Sequence, residues 1–474
     1  MSRALSSPMR GLLPMICLLQ LAGASASKGQ QAVRPLDFSR YALPNGMTVI
    51  FNVDRATPLV AVNVTYHVGA KDDPPGQRGI THLCEHAIAL GSPNVDQPLQ
   101  PFYRSIGGTS ARAETTDDLT SFYVVVPPNQ LETALWAESD RMAAPFSRLT
   151  PERLGAIRGV VGQERQQNVE NATFGVSREL TLAALFPEGH PYHIETAVAG
   201  ADLANLTVAE VRAACLPFYA PHNAVLSLSG DFDAQRVRAW VDRYFASIPA
   251  GTAVGRKQQV PQAQRGERRL VLEDRRAVQP QLHIDWIGAA YSSEDRTALM
   301  ALASLLSANR FGRLSRLLVD DRQLAVGVSA THYDFESSGV FEIAVFPRPG
   351  ASLSTVESLV DSVIAGLANA PPTAEELARF NAANAVTATT SLQSKLARAG
   401  TLGQDQLFAG DPAFYAAQAN AARQVTPSDV QRAAAKYLTS SRVVMSLVQA
   451  GQLGAVSKPE LPFVNVTPSR APRP

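Results

Sequence analysis

Alternating apolar and polar positions mark where the fold begins. Residues 59–68 read LVAVNVTYHV, with Val60, Val62, Val64, Tyr66 and Val68 on one side and Ala61, Asn63, Thr65 and His67 on the other. Period two over this length predicts a strand with one face in a core, and His67, on the polar side, reads as a surface histidine. Residues 41–53 (YALPNGMTVIFNV) predict a second strand, and the two start an antiparallel sheet. The period then changes. After a Pro/Gly-rich link at residues 72–79, Ile80, Leu83, Cys84, Ala87 and Leu90 recur at helical spacing, while His82, Glu85, His86 and Ala89 line another side. Gly107-Gly108-Thr109-Ser110-Ala111 reads as a turn before a strand at 121–126, which Pro127-Pro128 ends. A helix is expected over 131–142, and Thr150-Pro151 supplies a hydroxyl N-cap and a first-turn proline for the next.

In that next helix Ile157, Val160 and Val161 form the apolar stripe, and Glu164 falls on it two turns after Ile157. A carboxylate on such a stripe is costly to bury unless it is paired or coordinates a metal. Glu164 is therefore a candidate ligand; the alternative is a surface glutamate paired with Arg158 or Arg165.

The pattern repeats. Residues 206–230 correspond to 425–448: each has a T-x-x-[ED]-V helix start, an aromatic near the helix end and an apolar strand, and 150–154 echoes 373–377. Two homologous α/β halves follow. The expected layout is a domain at 36–247, a Pro/Gly/Gln/Arg-rich linker at 248–268, a second domain at 269–455 and a Pro-rich tail at 456–474.

Composition narrows the setting. With 43 Lys and Arg against 42 Asp and Glu, the formal charge of +1 offers no basic field for nucleic acid. Arg3 and Arg10, the apolar run at 11–19 and Ala24-Ser25-Ala26 read as a secretory signal over residues 1–26, so a periplasmic or extracellular location is expected. No later run is long enough to span a membrane. Of the three cysteines, Cys84 and Cys215 follow the signal; Cys84 sits on an apolar stripe as a small hydrophobe, and no disulfide is expected.

The chemistry lies in Thr81-His82-Leu83-Cys84-Glu85-His86. Two imidazoles four apart face the same way and can share a zinc ion, with Glu85 beside them to take a proton from an activated water. This is the HxxEH inverzincin order. A five-residue match alone is equally a helix with two hydrogen-bonded histidines. The second half has no counterpart: residues 299–307 (LMALASLLS) lack histidine and carboxylate, and about Thr387 stands where the first half has Glu164.

With 43–49 (LPNGMTV), 79–86, 160–165 (VVGQER), 189–192 (GHPY) and 219–224 (YAPHNA) in order, the chain resembles the M16 zinc metallopeptidases, the group of pitrilysin, insulysin and mitochondrial processing peptidase, in their two-domain bacterial form. The resemblance implies one zinc per chain held by His82, His86 and Glu164, Glu85 as general base, and a zinc endopeptidase acting on unfolded peptides. It also implies two similar domains, each a mainly antiparallel sheet with helices packed on it, forming half of a clamshell that a second chain completes, with substrate extended along a sheet edge near Gly108, Ser110 and Ala111. A non-catalytic binding or scaffold subunit, as some members are, is the alternative. The chain departs from the pattern at Ser110-Ala111, where the family has Asn-Ala, and at Ala89, where it has Phe. Val319 and Val326 stand where active members carry a substrate-steadying Arg and Tyr. The partner is then a different chain that supplies those groups, or Arg313 or Arg322 substitutes in a homodimer.

Overall fold

In a computed structural model, which describes residues 32–193, 203–255 and 266–467, two six-stranded mixed sheets repeat one plan. The first contains β1 (Ser39–Ala42), β2 (Thr48–Val53), β3 (Val60–Tyr66), β4 (Thr109–Thr115), β5 (Thr120–Val126) and β6 (Ala224–Gly230), in the order β1-β2-β6-β3-β5-β4. The second contains β7 (Arg268–Asp274), β8 (Gln281–Gly288), β9 (Ala325–Asp334), β10 (Gly339–Pro347), β11 (Val443–Gln449) and β12 (Val464–Asn465), in the order β12-β7-β11-β8-β10-β9. Apart from the edge strands β1 and β12 the orders match, and in each the first of the five shared strands runs parallel to the last, β2 with β6 and β7 with β11.

Helices α1 (Ile80–Ile88), α2 (Leu99–Ser105), α3 (Leu131–Ala143), α4 (Pro151–Arg165), α5 (Ser177–Leu185), α6 (Val208–Cys215) and α7 (Ala234–Phe245) accompany the first sheet in sequence. After them come α8 (Arg296–Ser307), α9 (Arg313–Ser315), α10 (Leu353–Gly366), α11 (Ala374–Thr390), α12 (Lys395–Ala409), α13 (Phe414–Ala422) and α14 (Pro427–Tyr437). The repeat extends to helix starts. Thr207 with Glu210 and Thr426 with Asp429 form reciprocal capping boxes on α6 and α14, and Thr150 and Thr373 cap α4 and α11. Among the described residues no helix is long and apolar enough to cross a membrane.

The halves exchange helices. α5 packs on β8 and β11 of the second sheet, and α12 packs on β2, β3, β5 and β6 of the first. This changes the surface expected for β3, which is buried along its whole length, Asn63 and Thr65 included. Gly403 makes the approach possible, since a Cβ there would stand 3.1 Å from both the Thr65 and Ser227 hydroxyls. His67 is likewise no surface histidine: its side chain is 12% exposed and pairs with Glu336 of the second half at 2.7 Å. Lys71 joins that cluster through Asp118 and Glu336.

Other expectations also change. Residues 41–53 form a hairpin rather than one strand, because Gly46 takes φ +86° in the turn and Leu43 N–H bonds back to Met47 O. The Gly107–Ala111 turn already contains the start of β4, whose pairing with β5 slips between Thr109 and Arg112 while Ser110 sits at φ +53°. Such a bulge on an edge strand leaves no alternating apolar signal. Cys84 and Cys215 are bonded to each other, Cα to Cα 6.4 Å, and tie α1 to α6. Both lie in the first core, and a partner 131 residues away left no trace in the local pattern. The signal at 1–26 lies outside the described residues, as do 256–265 of the linker and 468–474 of the tail; within the tail, β12 pairs with β7.

Candidate metal centre

α1 presents its chemistry by burying its other side. Ile80, Leu83, Cys84, Ala87 and Ile88 are in the core. Its amino end has Gly79 at φ +88° and no side-chain cap of its own. Asp73 does that work from the preceding loop, accepting from Gly79 N–H at 2.6 Å, Thr81 N–H at 3.1 Å and the Thr81 hydroxyl at 2.8 Å. Burial pushes the Asp73 carboxyl up to about 6, with those three bonds pulling the other way.

α4 lies against α1 and brings the third side chain. Leu154, Ile157 and Val161 form its buried stripe, whereas Val160 is 43% exposed and does not belong to it. Glu164 continues the stripe at i+3 from Val161. The arginines that offered an alternative are engaged elsewhere: Arg165 pairs with Glu179 at 2.8 Å and Glu170 at 3.3 Å, and Arg158 donates to Leu206 O.

His82 Nε2 and His86 Nε2 stand 3.2 Å apart. Glu164 Oε2 is 3.5 Å from the first and 3.2 Å from the second. Tetrahedral zinc with bonds of about 2.0–2.1 Å separates neighbouring ligands by about 3.3–3.4 Å, so these three atoms have the spacing of one face of such a site. A second observation agrees. The Glu164 side chain is 39% exposed, yet Oε2 is buried and takes no hydrogen bond. A cation among the three donors would satisfy it.

Glu85 differs in kind. It is 7% exposed, and its Oε2 accepts the Thr115 hydroxyl of β4 at 2.6 Å. Distance also groups Glu85 with both histidines, within 4.8 Å, but it is Glu164 whose Oε2 stands 3.2–3.5 Å from both imidazole nitrogens. Burial raises the Glu85 carboxyl, opposed by Thr115 and His86. Burial also lowers His82, with His86 adding to the effect, which favours the neutral imidazole that a metal needs. Among the described residues no grouping of three His, Cys, Asp or Glu donors outside this cluster lies so close together.

A cavity of about 620 Å³ opens over these groups, with Arg112, Glu114 and Thr115 of β4 on its wall. Gly108 precedes β4 and Ser110 and Ala111 lie at its start, all three outside that lining. Thr115 and Asp73 were missed in the sequence. An Asp ahead of a helix start was a signal for the second; an edge-strand threonine gave none for the first.

Residues 48–194 match the family described as insulinase (peptidase family M16), and residues 205–383 match its peptidase M16 inactive domain. The chain belongs to the M16 peptidase family. This M16 chain is 24% identical over 346 residues to the zinc protease PqqE of Helicobacter pylori, covering 71% of this chain and 76% of that one. It is 23% identical over 381 residues to the uncharacterized zinc protease YmxG of Bacillus subtilis, covering 78% and 88%. In fold it resembles a protease from Helicobacter pylori, with a TM-score of 0.78 at 22% identity over 88% of this chain and 100% of that one. The first half of the periplasmic protease PqqL from Escherichia coli gives 0.72 at 15% identity over 89% and 94%. This M16 chain thus has the fold of those proteins, with His82, His86, Glu85 and Glu164 gathered at one cavity.

Proposed function

We propose that the chain is a zinc-dependent endopeptidase that hydrolyses unfolded peptides. The observation that carries this reading is the set of three donors at 3.2–3.5 Å with a separately held carboxylate beside it. His82, His86 and Glu164 hold one zinc ion per chain. Bound there, zinc supplies a Lewis acid for the scissile carbonyl and makes water a nucleophile at neutral pH. Glu85 takes the proton from the attacking water and gives it to the leaving amine, while Thr115 fixes the carboxylate for both transfers. The outer edge of β4 holds the substrate backbone in extended form. The names of the zinc-protease relatives and the periplasmic relative in fold favour the same chemistry in an exported protein.

The chain works with a partner. Val319 packs on the second core and Val326 is 56% exposed, so neither offers a donor to developing negative charge. Arg313 is no substitute, being tied to Glu376 at 2.9 Å through both Nε and Nη2. A second, M16-like chain that binds no metal supplies the missing groups.

The test is cleavage of an unfolded peptide by the purified chain, with and without a chelator and with readdition of zinc. Cleavage that chelation abolishes and zinc restores is expected; an absence of cleavage, alone and with co-purifying chains, would leave the non-catalytic subunit. Stimulation by a co-purifying chain is the expected sign of the partner.

A further inference from the structure

Edge strand β4 has a cavity on each face. Ala113 and Thr115 oppose Phe122 and Thr120 of β5, on the side of α1 and the metal ligands. Arg112 and Glu114 oppose Tyr123 and Ser121, on the side that α12 covers. On that second side lies another cavity, of about 630 Å³, between the first sheet, α12 and β9. Glu114 belongs to the walls of both cavities.

The charges in the far cavity nearly cancel. Asp117 pairs with Arg178 at 2.6 Å, Asp118 with Lys71 at 2.9 Å and Asp334 with Arg296 at 2.7 Å. His332 is pushed down to about 4 by burial and is neutral at neutral pH. Glu114 remains, exposed and without an ion pair or hydrogen bond among the described residues. Near it Asn63, Thr65 and Ser121 supply neutral oxygen acceptors. A strand added to an edge sends its side chains alternately to the two faces, so one set enters the metal-side cavity and the other the far cavity.

We propose that the far cavity is a specificity pocket, in which Glu114 selects peptides carrying Lys or Arg at the position whose side chain crosses to the far face of β4. The inference rests on the peptidase reading above for its ligand, an extended peptide. Arg112, on the same face of β4 by register, lines the metal-side cavity and not the far one.

Binding and turnover are measured apart. Labelled decapeptides that differ only by Lys, Ala or Glu at one position, moved stepwise along the sequence, are titrated by fluorescence anisotropy against the zinc-loaded Glu85→Gln chain. At one position Lys is expected to bind about fivefold tighter than Ala, the size of one partly exposed charge pair, with Glu weaker than Ala. Glu114→Gln should level the three and Glu114→Lys should reverse their order. No binding, or a Lys-to-Glu ratio that Glu114→Lys leaves unchanged at every position, overturns the pocket. The same peptides are then offered to the unsubstituted chain, alone and with co-purifying chains: binding that Glu114 controls, with no cleavage in either case, removes the peptidase reading and leaves the pocket standing.

Discussion

The disulfide offers a prediction that tests how the metal helix is held. Cys84 lies between His82 and Glu85 in sequence, and its bond to Cys215 fixes α1 against α6. Replacing both cysteines by alanine keeps small, apolar side chains at sites that are 0% and 2% exposed, so the main loss is the cross-link itself. With 131 residues separating the two, the chain-entropy relation gives about 5 kcal/mol of stabilisation through the unfolded state. If residues 33–467 unfold together, at about 2.1 cal/mol/K per residue, that loss lowers Tm by about 5 °C. The assay is thermal unfolding of the zinc-loaded chain and its Cys84→Ala, Cys215→Ala variant, with thiols titrated in denaturant. Zinc affinity of the variant should fall as well, since α1 carries two of the three donors. Two free thiols in the denatured unsubstituted chain, or a Tm within about 1 °C of it in the variant, would refute the reasoning.

Three more outcomes are expected. Glu164→Gln should lower zinc occupancy after dialysis, read by metal analysis, because it removes the charged donor; full occupancy would take Glu164 out of the site. Glu85→Gln should keep its zinc and lose roughly 10²–10⁴-fold in kcat, and near-normal turnover would count against its role. Asp285 of β8 is fully buried with Oδ1 unpartnered, facing Glu342 across the strands, with His283, Tyr333 and Thr181 also near; burial and Glu342 raise its carboxyl well above the usual range. A carboxyl raised in the fold contributes stability that is present below its unfolded value of about 3.9 and is lost as pH rises through the folded one. The Tm advantage of Asp285→Asn over the unsubstituted chain should therefore grow from pH 4 to pH 8, and parallel curves would contradict the assignment.

What was legible in the chain follows from range. His82, Glu85 and His86 sit within two turns, so helical spacing alone placed them on one side. Glu164 was legible because a carboxylate on an apolar stripe violates local expectation, although Val160 proved to lie off that stripe. The halves showed through their capping threonines, which recur because a helix start is a local device. Thr115 was not legible, since an edge strand with one solvent-facing border needs no apolar alternation. Nor were the buried faces of Asn63, Thr65 and His67, because what covers them comes from α12 and Glu336, more than 260 residues further along.

The exchange of α5 and α12 bears on the order of events during synthesis. By the time Glu164 has left the ribosome all four residues of the candidate site exist, but β6 has yet to be made and β3 and β5 lack the cover that α12 gives. That cover arrives only when residue 409 has been made. Contacts at such separation form late, after the loop-closure entropy of more than half the chain has been met. The nascent chain thus carries the whole candidate site on an unfinished sheet, and a truncation before α12 would yield His82, Glu85, His86 and Glu164 without the platform that β4 and β5 need to present Thr115.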